Sequence, residues 1–375
     1  MNFTLRITGW LRAARLGLPR PPGKRVAVRD RRRTAAVSLS VAVAGVILLN
    51  LGLSLAAESS LYIRDPGYSD KEIRLARQEA LNPTGPRIVM LGTSRTAAAF
   101  HAGRMREQLG SGVVFNFGIP ASGPITHSVY LKRLLHDGHK PDLLILEVLP
   151  PTLGDLPAGP TTPAGPLEGR FFFGDRMTRS ELDSVVQYGF PERVKEQWRR
   201  SVIVPWYALR FPILGRVMPS ALPWQLRFDW SRGCDDFGWG APFADSVTPL
   251  EYELGLQRAV NEYSGVLRHM HPTGGGSRAL ADIAELCRRE GIPLTLVMMP
   301  EANEFRAIYQ PEVLGRVRAF LAEVCREHGC TLIDAREWLP DSGFSDGHHM
   351  VKPGAAQFTD RLSEVVVKPF LTGRR

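Results

Sequence analysis

The chain has 375 residues, enough for one large domain or two smaller ones, and a formal net charge of +9. The charge is confined to the N-terminus, because residues 1–33 hold ten Arg or Lys and one Asp, whereas the remainder holds 37 basic and 37 acidic residues. A neutral body behind a basic tail is not typical of a nucleic-acid-binding protein, so we expect no nucleic-acid partner.

The tail, residues 1–34, precedes an apolar segment. Residues 35–57 carry no charge, and a helix of that length spans about 35 Å, enough to cross a hydrocarbon core of about 30 Å. Basic residues on the N-terminal side indicate a single-pass protein of the cell membrane, with a cytoplasmic N-terminus and an extracytoplasmic body. The alternatives are a cleaved signal peptide, which normally has a shorter apolar region, and a buried helix of a soluble protein.

Residues 58–86 are polar and predict a stalk with a short helix near 71–80. Apolar runs then alternate with helical patterns. The predicted strands are 88–91, 113–117, 143–148, 294–298 and 331–333, and the predicted helices are 103–109, 125–136, 280–289, 311–328 and 352–367. This alternation predicts an α/β domain over 87–151 and 278–370, with a doubly wound, mainly parallel five-stranded sheet.

Residues 152–277 do not follow this alternation and predict a large insertion that forms a lid. Five tryptophans lie there, suited either to stacking on sugar rings or to ordinary packing: Trp198, Trp206, Trp224, Trp230 and Trp239. Phe171–Phe173 form a further aromatic run. Three consecutive glycines, 274–276, predict a mobile loop, since no Lys-Ser/Thr pair follows to make a phosphate-binding loop.

Two short motifs carry the chemistry. Gly-Thr-Ser-Arg at 92–95 directly follows the first predicted strand, and Asp-Gly-His-His at 346–349 precedes the last predicted helix. Ser94, His349 and Asp346 supply a nucleophile, a base and an orienting acid. The α/β-hydrolase elbow G-x-S-x-G is absent, because Thr96 replaces the second glycine. Three alternatives remain: Ser94 as a helix cap, His348 as the base, and the two histidines as metal ligands or surface residues.

These blocks resemble the SGNH (GDSL-like) hydrolase superfamily. The similarity is to its membrane-anchored extracytoplasmic branch, which includes alginate acetylation proteins, the D-alanyl transfer protein of teichoic acids and peptidoglycan O-acetyltransferases. Asn-Phe-Gly at 116–118 and the run 141–147 add to the resemblance, which covers roughly 86–151 and 280–368. It implies an SGNH or flavodoxin-like fold and a serine esterase or O-acetyltransferase without cofactor or metal.

The resemblance also implies oxyanion and substrate contacts near Asn116. The backbone N–H of Ser94 is one candidate donor, and Gly118 or Gly123 is the second. The family's third donor, an Asn in a Gly-x-Asn-Asp block after the third strand, is missing, since residues 146–151 read Leu-Glu-Val-Leu-Pro-Pro. Arg95 is predicted to hold an anionic substrate group or to pair with Glu147.

We therefore expect acyl transfer to, or hydrolysis from, a cell-envelope polysaccharide, with a small-molecule acyl donor. The competing hypothesis is an inactive SGNH-like scaffold that binds polysaccharide or a multi-pass membrane acyltransferase. A weaker one is a metal-dependent hydrolase built on Asp346, His348 and His349. Of the four cysteines, Cys325 and Cys330 can pair outside the cytoplasm, whereas Cys287 and Cys325 are alternatively buried thiols on helices.

Overall fold

A computed structural model describes residues 28–156, 164–170, 174–189, 191–223, 233–242 and 244–373. Most of the basic tail, the Phe171–Phe173 run, Trp224 and Trp230 lie outside these ranges. Contacts divide the chain into two units between Gly52 and Leu53.

The described part of the N-terminal unit is helical and belongs to one long helix, α1 (Val28–Ser59), which continues into the second unit. Its segment Arg31–Ser59 has the length and apolar composition of a membrane span, and none of the most apolar part is buried. An N-terminal signal sequence has the same properties. The helix therefore confirms an apolar segment that can cross a bilayer or direct export, and it begins seven residues before the predicted span.

The remaining elements follow in chain order. The strands are β1 (Arg87–Gly92), β2 (Val113–Gly118), β3 (Leu143–Val148), β4 (Asp155–Leu156), β5 (Gly165–Pro166), β6 (Leu294–Met298) and β7 (Thr331–Asp334). The helices are α2 (Leu61–Arg64), α3 (Pro66–Leu81), α4 (Ser94–Ala99), α5 (Ala102–Leu109), α6 (Pro124–His136), α7 (Arg179–Val186), α8 (Pro191–Ile203), α9 (Pro205–Ala208), α10 (Arg210–Val217), α11 (Pro249–Leu267), α12 (Gly275–Glu290), α13 (Asn303–Arg306), α14 (Pro311–His328), α15 (Lys352–Leu362) and α16 (Lys368–Thr372). A π-helical turn, Ser363–Val367, joins the last two, and 3₁₀ turns cover Pro150–Leu153, Leu167–Arg170, Gly174–Arg176, Pro219–Ala221 and Asp341–Gly343.

The main sheet has five parallel strands in the order β2-β1-β3-β6-β7, which confirms the predicted α/β class. All five predicted strands are present. After β1 the chain turns outward to β2 and then crosses back to β3, so the winding direction reverses beside β1. In open α/β sheets, ligands bind beyond the carboxyl ends of the strands at such a reversal.

Apolar side chains cover both faces of this sheet. Val89 and Leu91 point into a cluster shared with α3, α6, α12 and α14. Ile88 and Met90 point into a second cluster shared with α5 and α15. Because alternate residues of one strand enter opposite cores, β1 has to be apolar on both faces, which is why its sequence has no polar alternation.

The predicted stalk is instead packed against the body. Helix α3 buries Tyr68, Lys71 and Leu75, and the Lys71 ammonium donates hydrogen bonds to the carbonyls of Asn116 and Gly238, at 2.8 and 2.6 Å. Burial lowers the pKa of Lys71 to about 8. Segment 58–86 is polar because several of its charges are paired inside the fold.

The chain between β3 and β6 is mostly helical, and its glycine run differs from the predicted loop. Gly274 precedes α12, and Gly275 and Gly276 form its buried first turn. A side chain at Gly276 would lie 2.0 Å from the carbonyl oxygen of Thr152, so the glycines permit close backbone packing. Trp239 also packs, since its indole stacks on His101 at 3.7 Å.

Cys287, Cys325 and Cys330 are free thiols. Cys234 and Cys287 are buried, as predicted for Cys287. Cys325 and Cys330, at the end of α14 and the start of β7, place their sulfur atoms 2.7 Å apart.

Candidate active site

Ser94 begins α4 at the carboxyl end of β1. Thr93, rather than Ser94, caps this helix, because its hydroxyl accepts a hydrogen bond from the backbone N–H of Arg95 at 3.1 Å. The Ser94 side chain is therefore free of capping, and its Oγ lies 2.8 Å from Nε2 of His349. Residues 255 positions apart in the chain thus meet in hydrogen-bonding geometry.

Asp346 lies on the other side of the imidazole and completes a hydrogen-bonded row, Ser94–His349–Asp346. Its Oδ2 lies 2.7 Å from Nδ1 of His349, and its Oδ1 accepts the backbone N–H of His349, also at 2.7 Å. Burial alone would raise the pKa of Asp346, but the imidazoles of His348 and His349 beside it hold that pKa well below its usual range. An ionised Asp346 keeps the proton of His349 on Nδ1 and leaves Nε2 able to accept the serine proton.

The loop that carries these residues is tightly held. Phe344 and Met350 form a β-bridge, and the backbone N–H of Ser345 donates to the carbonyl of His349 at 2.8 Å. Gly347 adopts a φ of +87°, which a side chain would strain. Gly255 of α11 packs on the loop so closely that an added Cβ would lie 2.5 Å from Cβ of Asp346.

His348, the alternative base, is buried and also borders the cleft beside Ser94. Its ring stacks on Phe305 at 5.0 Å between ring centres and meets the edge of Tyr263 at 5.5 Å. Burial lowers the pKa of His348 to about 4, so this imidazole is neutral at physiological pH. Between the two histidines, only His349 contacts Ser94 in the described part of the chain.

A buried carboxylate supports the turn that carries Ser94. Glu147, on β3, accepts four hydrogen bonds at 2.6–3.2 Å, from the backbone N–H and the hydroxyl of both Thr93 and Thr96. A side chain at Gly92 would lie 2.5 Å from this carboxylate, which explains the glycine two residues before the serine.

Arg95 lies between two buried acids. Its Nε is 3.7 Å from Glu147 and its Nη1 is 3.4 Å from Glu301. The predicted ion pair with Glu147 is therefore present, although Arg95 also lines the cleft. Thr93, Thr96 and Glu301 were not singled out from the sequence, because isolated threonines and a glutamate carry no signal without the fold that joins them.

The other predicted donors have partners elsewhere. The Asn116 side chain donates to the carbonyls of Thr96 and Phe100, at 2.8 and 2.7 Å, and accepts the N–H of Gly118 at 2.9 Å. Asn116 and Gly118 do not line the cleft and instead fasten α4 to β2. Gly123 precedes α6 and faces the carboxylate of Glu168.

A cleft of about 390 Å³ opens beside Ser94. Its lining includes the three residues of the row, Arg95, the loop 120–122, Leu149 and Thr152 after β3, Glu168, and Gly255, Arg258, Glu262 and Tyr263 of α11. The N–H of Ser94 is in the first turn of α4, where no acceptor exists within the helix. It is therefore available to an oxyanion in the cleft.

Ala121, on the opposite wall, has an unusual backbone. Its φ is +61°, in the left-handed region, and it follows Pro120 in a turn closed by the Ser122 N–H and the Ile119 carbonyl at 3.3 Å. Glycine or asparagine normally occupies this turn position. No sequence motif indicates this strained turn, and its residues 120–122 line the cleft.

Glu168 is buried at the start of α6, where its carboxylate accepts the N–H groups of Ile125 and Thr126 at 2.6 and 3.2 Å. Burial raises its pKa to about 7, although backbone N–H groups lower it in turn. The residue lay inside the predicted insertion and carried no motif.

A second serine–histidine contact, between Ser122 and His127, serves as a comparison. Oγ of Ser122 lies 2.6 Å from the Ile119 carbonyl, so its proton is donated there, and His127 Nε2 at 2.9 Å must act as the donor to this oxygen. Burial lowers the pKa of His127 to about 4, and among the described residues no group pairs with its Nδ1. This pair therefore does not activate its serine.

The same loop could present metal ligands. One potential ligand atom from each of Asp346, His348 and His349 lies within 4.8 Å of the others. Both ring nitrogens of His349 are already engaged, one by Asp346 and one by Ser94. A cation bound by His349 would therefore have to displace its hydrogen bond to Asp346 or to Ser94.

Comparison with known proteins gives one partial match. A protein-family model that carries no functional description matches residues 274–371, a range that includes Asp346 and His349 but not Ser94. No curated protein matches this sequence.

Proposed function

We propose that this protein is a membrane-anchored serine acyl-transfer enzyme, an esterase or O-acetyltransferase, which acts outside the cytoplasm on cell-envelope glycan. The observation that carries the proposal is the row Ser94–His349–Asp346, with contacts of 2.8 and 2.7 Å, at the edge of a cleft and beyond the carboxyl end of β1. The resemblance to SGNH hydrolases supports the same assignment, with residues 152–277 as an insertion that forms a lid.

The geometry supports a two-step reaction. Ser94 Oγ attacks the acyl carbonyl of the donor while His349 Nε2 takes its proton, and Asp346 stabilises the imidazolium. The oxyanion accepts the N–H of Ser94 and the N–H of Ala121, because Pro120 has no N–H and the N–H of Ser122 already donates to the Ile119 carbonyl. The imidazolium protonates the leaving oxygen, and the acyl group stays on Ser94.

In the second step His349 deprotonates the acceptor hydroxyl, which attacks the acyl carbon. The bond between that carbon and Ser94 Oγ breaks, and the imidazolium returns the proton to Oγ. A glycan hydroxyl gives transfer and water gives hydrolysis. Glu147 and Asn116 contribute by holding the turn and the helix that carry Ser94. In this proposal α1 anchors the protein in the cell membrane, and the basic tail lies in the cytoplasm.

The test is active-site labelling of the full-length protein in detergent. Wild type should release p-nitrophenol from p-nitrophenyl acetate and form a fluorophosphonate adduct that mass spectrometry maps to Ser94. Ser94→Ala should lose both properties. Ser122→Ala is the matched control, because its serine also contacts a histidine, and the adduct at Ser94 should persist. Equal hydrolysis by wild type and Ser94→Ala would exclude catalysis at this site.

One observation favours a non-catalytic alternative. Where the family has its third oxyanion donor, the cleft is lined by Leu149 and Thr152, and the Thr152 hydroxyl donates to the Leu149 carbonyl at 2.7 Å. Loss of one such donor typically lowers the rate by about 10²–10³. Wild type that binds glycan or a membrane acyltransferase but gives no adduct would establish the scaffold.

Activity that persists with chelators would exclude the metal-dependent hydrolase.

A further inference from the structure

We propose that helices α8–α10 form an interfacial surface that rests on the anionic bilayer in which α1 is anchored. We define this surface by five residues: Ile203, Trp206, Tyr207, Val217 and Met218. The inference depends on the membrane anchor of the proposed function and is independent of its catalytic chemistry.

The interfacial surface is strongly exposed. The five side chains are 52–79% exposed, and they lie within sixteen residues of the chain. In Leu53–Arg375, the described residues include twelve large hydrophobic side chains that are 44% or more exposed, and five of the twelve are concentrated here. A local concentration of exposed apolar side chains marks a contact with a partner or a membrane.

The surface is attached next to the end of α1. Three residues after Ser59, Tyr62 lies under the guanidinium of Arg216, 3.9 Å from the ring centre, and its carbonyl accepts from Nε of Arg216 at 3.2 Å. Arg64 joins the carbonyl of Ala57 to Ser201 of α8 with hydrogen bonds of 3.0 and 3.2 Å.

These contacts limit how far the interfacial surface can lie from the membrane end of α1. Three extended residues cover about 10 Å at most, comparable with a headgroup layer of about 5–8 Å on one side of the bilayer. If α1 spans the membrane, α8–α10 therefore begin at the headgroup level.

The charge of this segment suits anionic lipid better than a neutral protein partner. Residues 191–218 include six basic and two acidic residues, whereas the chain after residue 33 is neutral as a whole. Arg216 pairs with Asp70, and Glu196 pairs with both Arg199 and Arg200, so the segment keeps a net positive charge. Arg210 lies over the rings of Tyr207 and Phe211, at 4.0 and 4.2 Å, and leaves its charge at the surface. Trp, Tyr and basic residues concentrate at the interface between membrane and water.

Lipid quenching of Trp206 fluorescence tests the proposal in the full-length chain. The protein is placed in nanodiscs of phosphatidylcholine and phosphatidylglycerol, and the Trp206 signal is the difference between wild type and Trp206→Phe. We expect at least twofold quenching by phosphatidylcholine brominated near the headgroup, and less by lipid brominated near the bilayer centre. Trp338→Phe is the matched control: Trp338 packs on Phe358 and lies beneath Arg361, so its signal should be insensitive to bromine.

Charge gives a second readout. Neutralising Arg199, Arg200 and Arg210 to Gln, or replacing phosphatidylglycerol by zwitterionic lipid, should reduce the quenching. An unquenched, water-like Trp206 signal in a chain that retains α1 would overturn the proposal. Protection of Trp206 only in native membranes would likewise overturn it and assign the surface to a protein partner. If cells that express the full-length chain release a soluble protein from which α1 has been cleaved, the anchor is refuted. The esterase assay would still test Ser94, His349 and Asp346 separately.

Discussion

Glu147→Gln is the sharpest test of how Ser94 is held. The substitution keeps the shape of the side chain and removes its charge, without touching Ser94, His349 or Asp346. The carboxylate accepts four hydrogen bonds and pairs with Arg95 at full burial. A carboxamide has one acceptor oxygen, and its NH₂ group would face donors that it cannot satisfy.

The expected destabilisation follows from this geometry. Oε2 of Glu147 accepts three of the four hydrogen bonds and Oε1 accepts one, so the carboxamide loses at least one of them. Hydrogen bonds to a charged group contribute about 1.5–3 kcal/mol each. Removing one partner of a buried ion pair costs about 3–5 kcal/mol. Because Arg95 keeps Glu301 and the hydrogen bonds overlap with the ion pair, we expect a loss of about 3–5 kcal/mol of unfolding free energy, with a lower kcat.

Urea unfolding of the full-length protein measures the effect, with Glu301→Gln as the matched control. Glu301 pairs with the same arginine, but its Oε2 has no hydrogen-bond partner among the described residues, and burial raises its pKa. Its substitution should cost less than that of Glu147, because burial already disfavours the charged form of Glu301 and an amide oxygen can still accept the Tyr309 hydroxyl. Equal losses for the two variants would refute the idea that Glu147 organises the turn.

Three further predictions concern the loop and the cleft. Asp346→Asn should lower kcat for acetate-ester hydrolysis about 10³–10⁴-fold with little change in KM, because His349 loses the acid that sets its tautomer; an unchanged kcat would remove Asp346 from the row. Gly255→Ala should destabilise the protein by about 1–3 kcal/mol and reduce activity, because the new methyl group displaces Asp346, whereas Gly265→Ala on the same helix meets no atom within 4 Å and should stabilise by about 0.5–1 kcal/mol; calorimetry with the esterase assay compares them, and similar values would contradict the packing argument. Glu168 has a folded-state pKa of about 7, above its unfolded value of 4.5, so its contribution is complete below about pH 4.5 and is lost as the pH rises through 7. The unfolding free energy of wild type relative to Glu168→Gln should therefore fall by up to about 3 kcal/mol over that range, and a difference independent of pH would contradict the raised pKa.

Much of the architecture was predictable because its signals are local. The doubly apolar runs at β1 and β3 follow from strands with a core on each face, and all five predicted strands lie in the sheet. The apolar segment after the basic tail also follows from composition. By contrast, the stalk and the glycine loop were predicted from local polarity and flexibility, which do not report that both segments are packed against the rest of the protein.

The sequence by itself determined the class of the sheet, the apolar N-terminal helix and the identity of the residues that form the row, because residue type and periodicity are properties of short segments. Only the tertiary structure decided that His349 rather than His348 reaches Ser94, that Asn116 and Gly118 brace α4 instead of lining the cleft, and that Arg95 lies between Glu147 and Glu301. The physical reason is that hydrogen bonds, ion pairs and burial depend on distances of a few ångströms between residues as much as 255 positions apart, and those distances exist only once the sheet and its helices have packed.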